Sequence, residues 1–222
     1  MSEIPKVDSV YYGGERHDVA SLVPLYARSV LDIGCGYGGI GRLLAKTHKA
    51  QLYGIELNPE ATPYLENLYH QHWIGSVEEV RIPEDVPGFD CIIFSDVLEH
   101  LVDPWGTLAH YAARLNTHGT IIASIPNVRN LNLLLKLIIR GEWTYLPDGG
   151  LLDKTHLRFF TRSEIEKLFN EAGLDIECWG YNRDKYSIFR RIVTAPFRMM
   201  SPDLEVCQFL IRAHKNSKLA LR

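Results

Sequence analysis

The strongest constraint on this chain is a short one. Ser29–Ile33 (SVLDI), an apolar β-rich run, leads straight into Gly34-Cys35-Gly36-Tyr37-Gly38-Gly39. Glycines at such a point let the backbone turn sharply and let a ligand approach where a Cβ would collide. Leu43, Leu44 and Ala45 then carry helical spacing to about His48. A strand that ends in glycines and restarts as a helix is the opening of a βαβ unit, which commits the chain to a parallel sheet with both faces covered.

The rest of the first 126 residues repeats that alternation. Gln51–Glu56 (QLYGIE) reads as a second strand, 72–75 as a short third, Phe89–Ser95 (FDCIIFS) as a fourth and 120–125 (TIIASI) as a fifth. Asn58 caps and Pro59 opens a helix after the second strand, and residues 103–115 carry helical spacing with Pro104 in the first turn. After Pro126 the pattern changes. An amphipathic helix is expected over 128–140, then a loop over 141–160 rich in Gly, Pro and aromatics, long enough to act as a lid. Thr161-Arg162-Ser163-Glu164 has the form of a helix N-cap box, and that helix stops at Gly173. Residues 175–180 read as a sixth strand, 186–200 as a basic amphipathic stretch and 205–213 as a seventh strand. The expected architecture is therefore α/β: a doubly wound, mostly parallel sheet with a lid insertion after strand five. One domain over 1–222 is expected, divided into a lead-in helix (1–27), a cofactor-binding core (28–126), a lid and acceptor insertion (127–160) and the final helices and strands six and seven (161–222).

Composition narrows the class. With 46% hydrophobic and 23% charged residues the chain is ordinary globular material. Its net charge of −3 gives no reason to expect a nucleic-acid partner. That average hides a split, because residues 183–222 hold nine Lys/Arg against three Asp/Glu, +6, leaving −9 for residues 1–182. Cys35, Cys91, Cys178 and Cys207 are far apart with no C-x-x-C pair, which fits buried thiols in a reducing compartment. No secretory leader is read at the start, and the most apolar run, 131–139, is far below the ~20 residues of a membrane span. A cytoplasmic protein is the expectation.

The glycine turn admits two ligands. Gly34, Gly36 and Gly39 satisfy the dinucleotide pattern G-x-G-x-x-G, and Glu56, twenty residues beyond Gly36, stands where an acid can accept both hydroxyls of a ribose. Asp32 tips the balance. A carboxylate two residues before the first glycine repels a pyrophosphate and attracts a ligand carrying an ammonium group. S-adenosylmethionine has a ribose, a sulfonium and an α-amino group, and no phosphate. A nicotinamide or flavin cofactor, or a fold kept without a ligand, are the alternatives.

VLDIGCGYGGIG, followed by GIELNPE and FDCIIFSDVLEHLVDPW, resembles the class I S-adenosylmethionine-dependent methyltransferases over roughly Tyr11 to Tyr181. The later run GTIIASIPNVRN…GEWTYLPDGGLLDKTHLRFFT is similar to a bacterial subgroup acting on small molecules, sugars or polyketide-type products. The resemblance implies a seven-stranded sheet with its last strand antiparallel. It also implies that Asp32, Gly34 and Gly36 line the methionine end, that Glu56 holds the ribose with Leu57 against the adenine, and that Asp96 and Val97 flank the sulfonium. Ser76 stands where the family pattern has an acid for the adenine amine, so Ser76 or Glu78 inherits that contact, and the Val77 N–H can still serve the adenine as a donor.

Methyl transfer to a hydroxyl benefits from a general base, most often His. His156, in Asp153-Lys154-Thr155-His156 within the lid loop, is the first choice, with Asp153 to orient it; the alternative is a histidine that only holds the loop's shape. His100, just past strand four, is the second, with a loop-orienting role as its alternative. Trp143, Tyr145, Phe159 and Phe160 can form an apolar acceptor wall or simple lid packing. Tyr11, Tyr12 and Arg16 can close over the cofactor or merely lead into strand one. No metal is expected, since His70 and His72 with Glu66 lack a converging third ligand. The basic stretch with Arg190, Arg191 and Arg198 is read as a solvated helix face, an anionic-acceptor site, or a weak peripheral contact with an anionic membrane. The expected activity is transfer of the cofactor's methyl to a small-molecule hydroxyl on a sugar or natural-product precursor. N-methylation, dinucleotide redox chemistry and non-catalytic cofactor binding are the rivals. Oligomeric state is open.

Overall fold

The computed structural model describes residues 14–147, 149–183, 196, 199 and 201–216. Tyr11, Tyr12 and most of the basic stretch 186–200, including Arg190, Arg191 and Arg198, lie outside the described residues. Seven strands form one sheet: β1 Ser29–Ile33, β2 Gln51–Glu56, β3 Gln71–Ile74, β4 Phe89–Ser95, β5 Leu115–Pro126, β6 Leu174–Arg183 and β7 Val206–Lys215. Their spatial order is β3-β2-β1-β4-β5-β7-β6. The first five run parallel, while β7 inserts between β5 and β6 antiparallel to both. This is the doubly wound sheet with an antiparallel last strand that the sequence motifs imply.

Burial explains the strand composition. Val30, Leu31 and Ile33 of β1 and Cys91, Ile92, Ile93 and Phe94 of β4 have no exposed surface, as expected of parallel strands covered on both faces. One face packs Leu31, Ile92, Phe94 and Phe209 against two helices, α4 Pro104–Ala113 and α6 Arg162–Glu171, through Leu108, Tyr111, Ile165 and Phe169. The other packs Val30, Ile93 and Ile122 under α1 His17–Ala20 and α2 Gly39–Thr47, through Val19, Ile40 and Leu44. Asp32 interrupts the apolar run of β1 and is nevertheless 2% exposed.

The caps read from sequence are present. Asp103 accepts the Gly106 N–H at 3.0 Å with Pro104 behind it, and Thr161 accepts the Glu164 N–H at 3.4 Å. Asn58 accepts the Glu60 N–H at 3.0 Å, but the element it opens is a 3₁₀ turn, Pro59–Ala61, running into the short α3, Thr62–Leu65. The expected helix over 128–140 is shorter and changes character. Asn130 caps it by accepting the Asn132 N–H, so α5 spans only Leu131–Leu135, then widens into a π turn, Lys136–Arg140, ended by left-handed Gly141 at φ 66°. Residues 141–160 contain no helix or strand among the described residues, only the isolated bridges Asn127–Phe160 and Leu146–Asp153.

Candidate active site

The turn after β1 is made by three left-handed glycines, Gly34 (φ 68°), Gly36 (φ 53°) and Gly38 (φ 80°). Gly34 donates its N–H to the Ile55 carbonyl at 2.8 Å, which pins the turn to the tip of β2. The Glu56 carboxylate sits against the turn: Oε2 accepts the Gly36 N–H at 2.8 Å and Oε1 the Asn58 N–H at 2.9 Å. A Cβ on Gly34 would lie 2.6 Å from Val97 Cγ2, in a backbone region that side chains disfavour. Gly34→Ala is therefore expected to displace Val97 and destabilise the protein by about 1–3 kcal/mol. Its cofactor affinity should fall with it; thermal melts and calorimetry read both, and native values would refute the crowding argument.

Asp32 is the most unusual group in the turn. Oδ2 accepts the Tyr69 hydroxyl at 2.7 Å, whereas Oδ1 is buried without a partner among the described residues. Burial pushes its carboxyl up to about 7, with the Tyr69 hydrogen bond working against the rise and the Glu56 charge adding to it. A buried carboxylate with one unsatisfied oxygen suits a cationic amino group. Beside it stand a backbone that a ligand can approach closely and a second carboxylate spaced for ribose hydroxyls. The donor set fits S-adenosylmethionine, and Asp32 is a poor neighbour for a pyrophosphate.

On the expected adenine side, Leu57 is 70% exposed at the end of β2 and Val77 is buried. The two candidates for the adenine amine separate. Glu78 accepts the Val102 N–H at 3.3 Å and the Asp103 N–H at 2.8 Å, so its carboxylate ties the strand-three loop to the start of α4. Ser76 Oγ accepts the Glu78 N–H at 3.3 Å and keeps a second lone pair with which to accept from an amine.

Asp96 lies at the end of β4 with φ 57°, the one left-handed non-glycine residue among those described. Arg16 and Ser95 donate to its Oδ2, and Gln208 to its Oδ1. Arg16 also grips Asp18 through two hydrogen bonds of 2.9 and 3.0 Å and reaches Gln208 Oε1 at 3.1 Å. Burial alone would raise the Asp18 carboxyl; Arg16 and Asn182 outweigh it and bring it down to about 2. Arg16, considered from sequence as a cofactor-closing residue, is thus the hub of a polar network over the carboxyl edge of the sheet. Gln208, Asn182 and Asp18 escape a reading of the sequence, because no local pattern announces a contact spanning 112 or 164 residues.

His100 and His156, the two candidate bases, do come together, their rings 4.6 Å apart edge to face. His156 Nδ1 lies 3.1 Å from the Leu151 carbonyl. A carbonyl only accepts, which assigns the proton to Nδ1 and leaves the Nε2 lone pair available. His100 Nδ1 is held by the Thr155 hydroxyl at 3.0 Å, and burial, then the neighbouring His156, lowers its pKa. Asp153 does not orient His156. Its carboxylate is taken by Gly149 N–H (2.8 Å), Thr155 N–H (2.7 Å) and Thr155 Oγ1 (2.6 Å), and so shapes the loop instead.

Glu99 completes the cluster. Its carbonyl accepts the Leu157 and Arg158 N–H groups at 2.8 and 2.9 Å, tying residues 157–158 to the turn after β4. Its carboxylate is buried, and neither oxygen has a partner among the described residues. Burial first, and the Asp96 charge second, hold it well above the usual carboxylate range. Glu99, His100 and His156 offer ligand atoms all within 4.8 Å of one another, a set able to hold a divalent cation. The sequence motifs give no hint of Glu99, although it adjoins His100, and no reason to expect a metal. Of the aromatics, Trp143 and Phe159 pack at 5.3 Å beside the histidines, while Phe160 is buried in the main core and offers no acceptor wall.

Comparison with known proteins bears on the family and the fold. The profile of the methyltransferase domain family matches residues 14–178. The ubiquinone biosynthesis O-methyltransferase of Coxiella burnetii is 28% identical over 162 residues, 70% of this chain and 67% of that protein. The protein of the same name from Nitrosospira multiformis is 29% identical over 160 residues, 69% of this chain and 65% of its own. The chain thus matches about two thirds of the length of these relatives. Among solved structures, a SAM-dependent methyltransferase from Archaeoglobus fulgidus superposes with a TM-score of 0.61 at 18% identity, over 93% of this chain and 97% of that one. The CcbJ methyltransferase of Streptomyces caelestis gives 0.61 at 14% identity, over 93% and 98%. At those identities the structural likeness speaks of the fold.

Proposed function

The chain belongs to the methyltransferase domain family and is a class I S-adenosylmethionine-dependent enzyme, and on that premise we propose that it methylates a hydroxyl on a small molecule. The observation that carries the cofactor site is the pairing of buried Asp32, with its unpartnered oxygen, and Glu56 held against the glycine turn. In this reading Asp32 takes the cofactor's amino group while Gly34 and Gly36 give its methionine end room. Glu56 accepts the ribose hydroxyls, Leu57 and Val77 enclose the adenine, Ser76 meets its amine, and Asp96 and Val97 border the sulfonium. When bound, the cofactor supplies an activated methyl on a good leaving group. What remains for the protein is to place the acceptor oxygen in line, exclude water and remove a proton.

The proton leaves, in this proposal, at the Glu99–His100–His156 cluster, with His156 Nε2 as the first acceptor and His100 as its neighbour. The names of the Coxiella and Nitrosospira relatives support an oxygen acceptor. A sugar or natural-product precursor handled in the cytoplasm is the substrate class we assign, and no nucleic acid. Calorimetry with S-adenosylhomocysteine tests the cofactor site. Glu56→Ala removes the acceptor of two ribose hydrogen bonds and is expected to weaken binding about 10–100-fold. Native affinity in that variant would sink the assignment.

One observation favours a second reading of the proton step. The three clustered groups can instead hold a divalent cation that acidifies the acceptor hydroxyl, with the histidines as its ligands. Turnover lost to a chelator and restored by Zn²⁺ or Mn²⁺ supports that route; turnover indifferent to chelation leaves His156 as the base.

A further inference from the structure

We propose that the tip of the insertion between β5 and α6 is a docking surface for an anionic lipid bilayer. Apolar exposure is concentrated there. Among the described residues fifteen large hydrophobic side chains are exposed, and six of them lie in residues 127–160: Leu137, Ile138, Ile139, Tyr145, Leu146 and Leu157. Ile138 and Ile139 are 77% and 73% exposed, on the π turn that projects beyond α5. Two consecutive isoleucines at such exposure, preceded by Leu137 at 39%, are not the scattered single residues of an ordinary surface, and they mark an interaction site.

Charge identifies the occupant. The aliphatic triplet is bracketed by Lys136 and Arg140, both exposed, whose side chains have no partner among the described residues. Residues 127–160 carry five Lys/Arg (129, 136, 140, 154, 158) and three Asp/Glu (142, 148, 153), a net +2. Residues 1–126 and 161–182 together carry −11, so within the first 182 residues the positive charge is local to the insertion; residues 183–222 carry a further +6. A positive, apolar tip complements anionic headgroups over an acyl interior, and Tyr145 supplies the ring that sits at such boundaries. An apolar contact between two copies of this chain would not call for unpaired cations on both sides of its aliphatic centre. The proposal does not rest on the chemistry of methyl transfer.

Co-sedimentation of the full chain with vesicles of phosphatidylcholine, with and without one quarter phosphatidylglycerol, tests it. The expected result is partition at least about tenfold stronger onto the anionic vesicles, falling in 0.5 M salt. Ile138→Asp/Ile139→Asp is expected to remove binding about a hundredfold. Lys136→Gln/Arg140→Gln should remove most of the phosphatidylglycerol preference while residual binding persists. Both variants should keep native affinity for S-adenosylhomocysteine, which shows that they are folded and separates this test from that of the cofactor site. No partition of the native chain onto either vesicle overturns the proposal. So does native partition of the Ile138→Asp/Ile139→Asp variant, which would place attachment elsewhere. Light scattering that shows a dimer broken by that variant, with no vesicle binding, would assign the patch to a second copy and equally overturn it.

Discussion

In the Asp32→Asn variant, binding of S-adenosylhomocysteine is expected to fall about 10–100-fold while the ligand-free protein melts at a higher temperature than the native chain at pH 8. Both effects have one cause. The folded protein holds the Asp32 carboxyl at about 7 against 3.8 for a free one, because it is buried with Oδ1 unpartnered. A folded-state value above the unfolded one means that the native state binds the extra proton between those two pH values. Stability is therefore greatest below about 4, declines as pH rises through 7, and levels off above. A rise of that size corresponds to about 4 kcal/mol, an upper bound on what ionised Asp32 costs the empty fold at pH 8. Asparagine keeps the Tyr69 contact without the charge and should recover about 1–3 kcal/mol of it, a rise in Tm of several degrees for a chain of this size. The ligand's ammonium reverses the balance by pairing with the ionised form. Native affinity should then rise with pH up to about 7 and flatten above, whereas the variant's weak binding should be flat throughout. A lower Tm for the variant at pH 8 would show that Asp32 is compensated in a way the hydrogen bonds do not reveal.

Such a residue is partly legible in sequence. Asp32 stands out in SVLDIGCG because a carboxylate in a strand buried on both faces has no structural reason to be there, and Glu56 because it ends the next strand. The whole β1-to-β5 alternation follows from short apolar runs and from caps such as Asp103-Pro104, which act over three or four residues. Where sequence falls short, the determining contacts are distant. Glu78 is eligible for the adenine amine until α4 places the Val102 and Asp103 N–H groups over its carboxylate. The Arg16–Asp96–Gln208 network joins the N-terminal helix, β4 and β7, with no spacing to betray it. The helix expected over 128–140 fails for a local reason. Asn130 competes for backbone N–H groups and resets the start, and Gly141 takes the left-handed end, leaving only α5 and a π turn between them. Glu99 is the instructive miss. Its neighbour His100 is conspicuous in sequence, but the value of Glu99 lies in two carboxylate oxygens buried without partners, and only the fold makes that visible.

His156→Ala is expected to lower turnover by about 10²–10⁴-fold with S-adenosylhomocysteine affinity unchanged. The geometry supplies the reason. Leu151 fixes the Nδ1 proton, so Nε2 presents its lone pair beside His100, whose lowered pKa keeps it neutral at pH 7 and spares His156 an adjacent charge. A hydroxyl acceptor, nearly always protonated at that pH, needs the base; an amine with a pKa near neutrality does not. The size of the loss therefore reports the acceptor atom as well as the residue. It is measured as labelled methyl transfer to the best acceptors from matched panels of alcohols, phenols and amines. A drop of two decades or more on hydroxyl acceptors, with turnover recovering as assay pH is raised toward the acceptor's own pKa, is the signature of a missing base. A loss that persists at every pH would instead mark His156 as a group that positions the loop through Leu151. Full turnover on the hydroxyl panel would remove it from the mechanism and leave the proton to Glu99 and His100, where Glu99→Gln becomes the decisive variant.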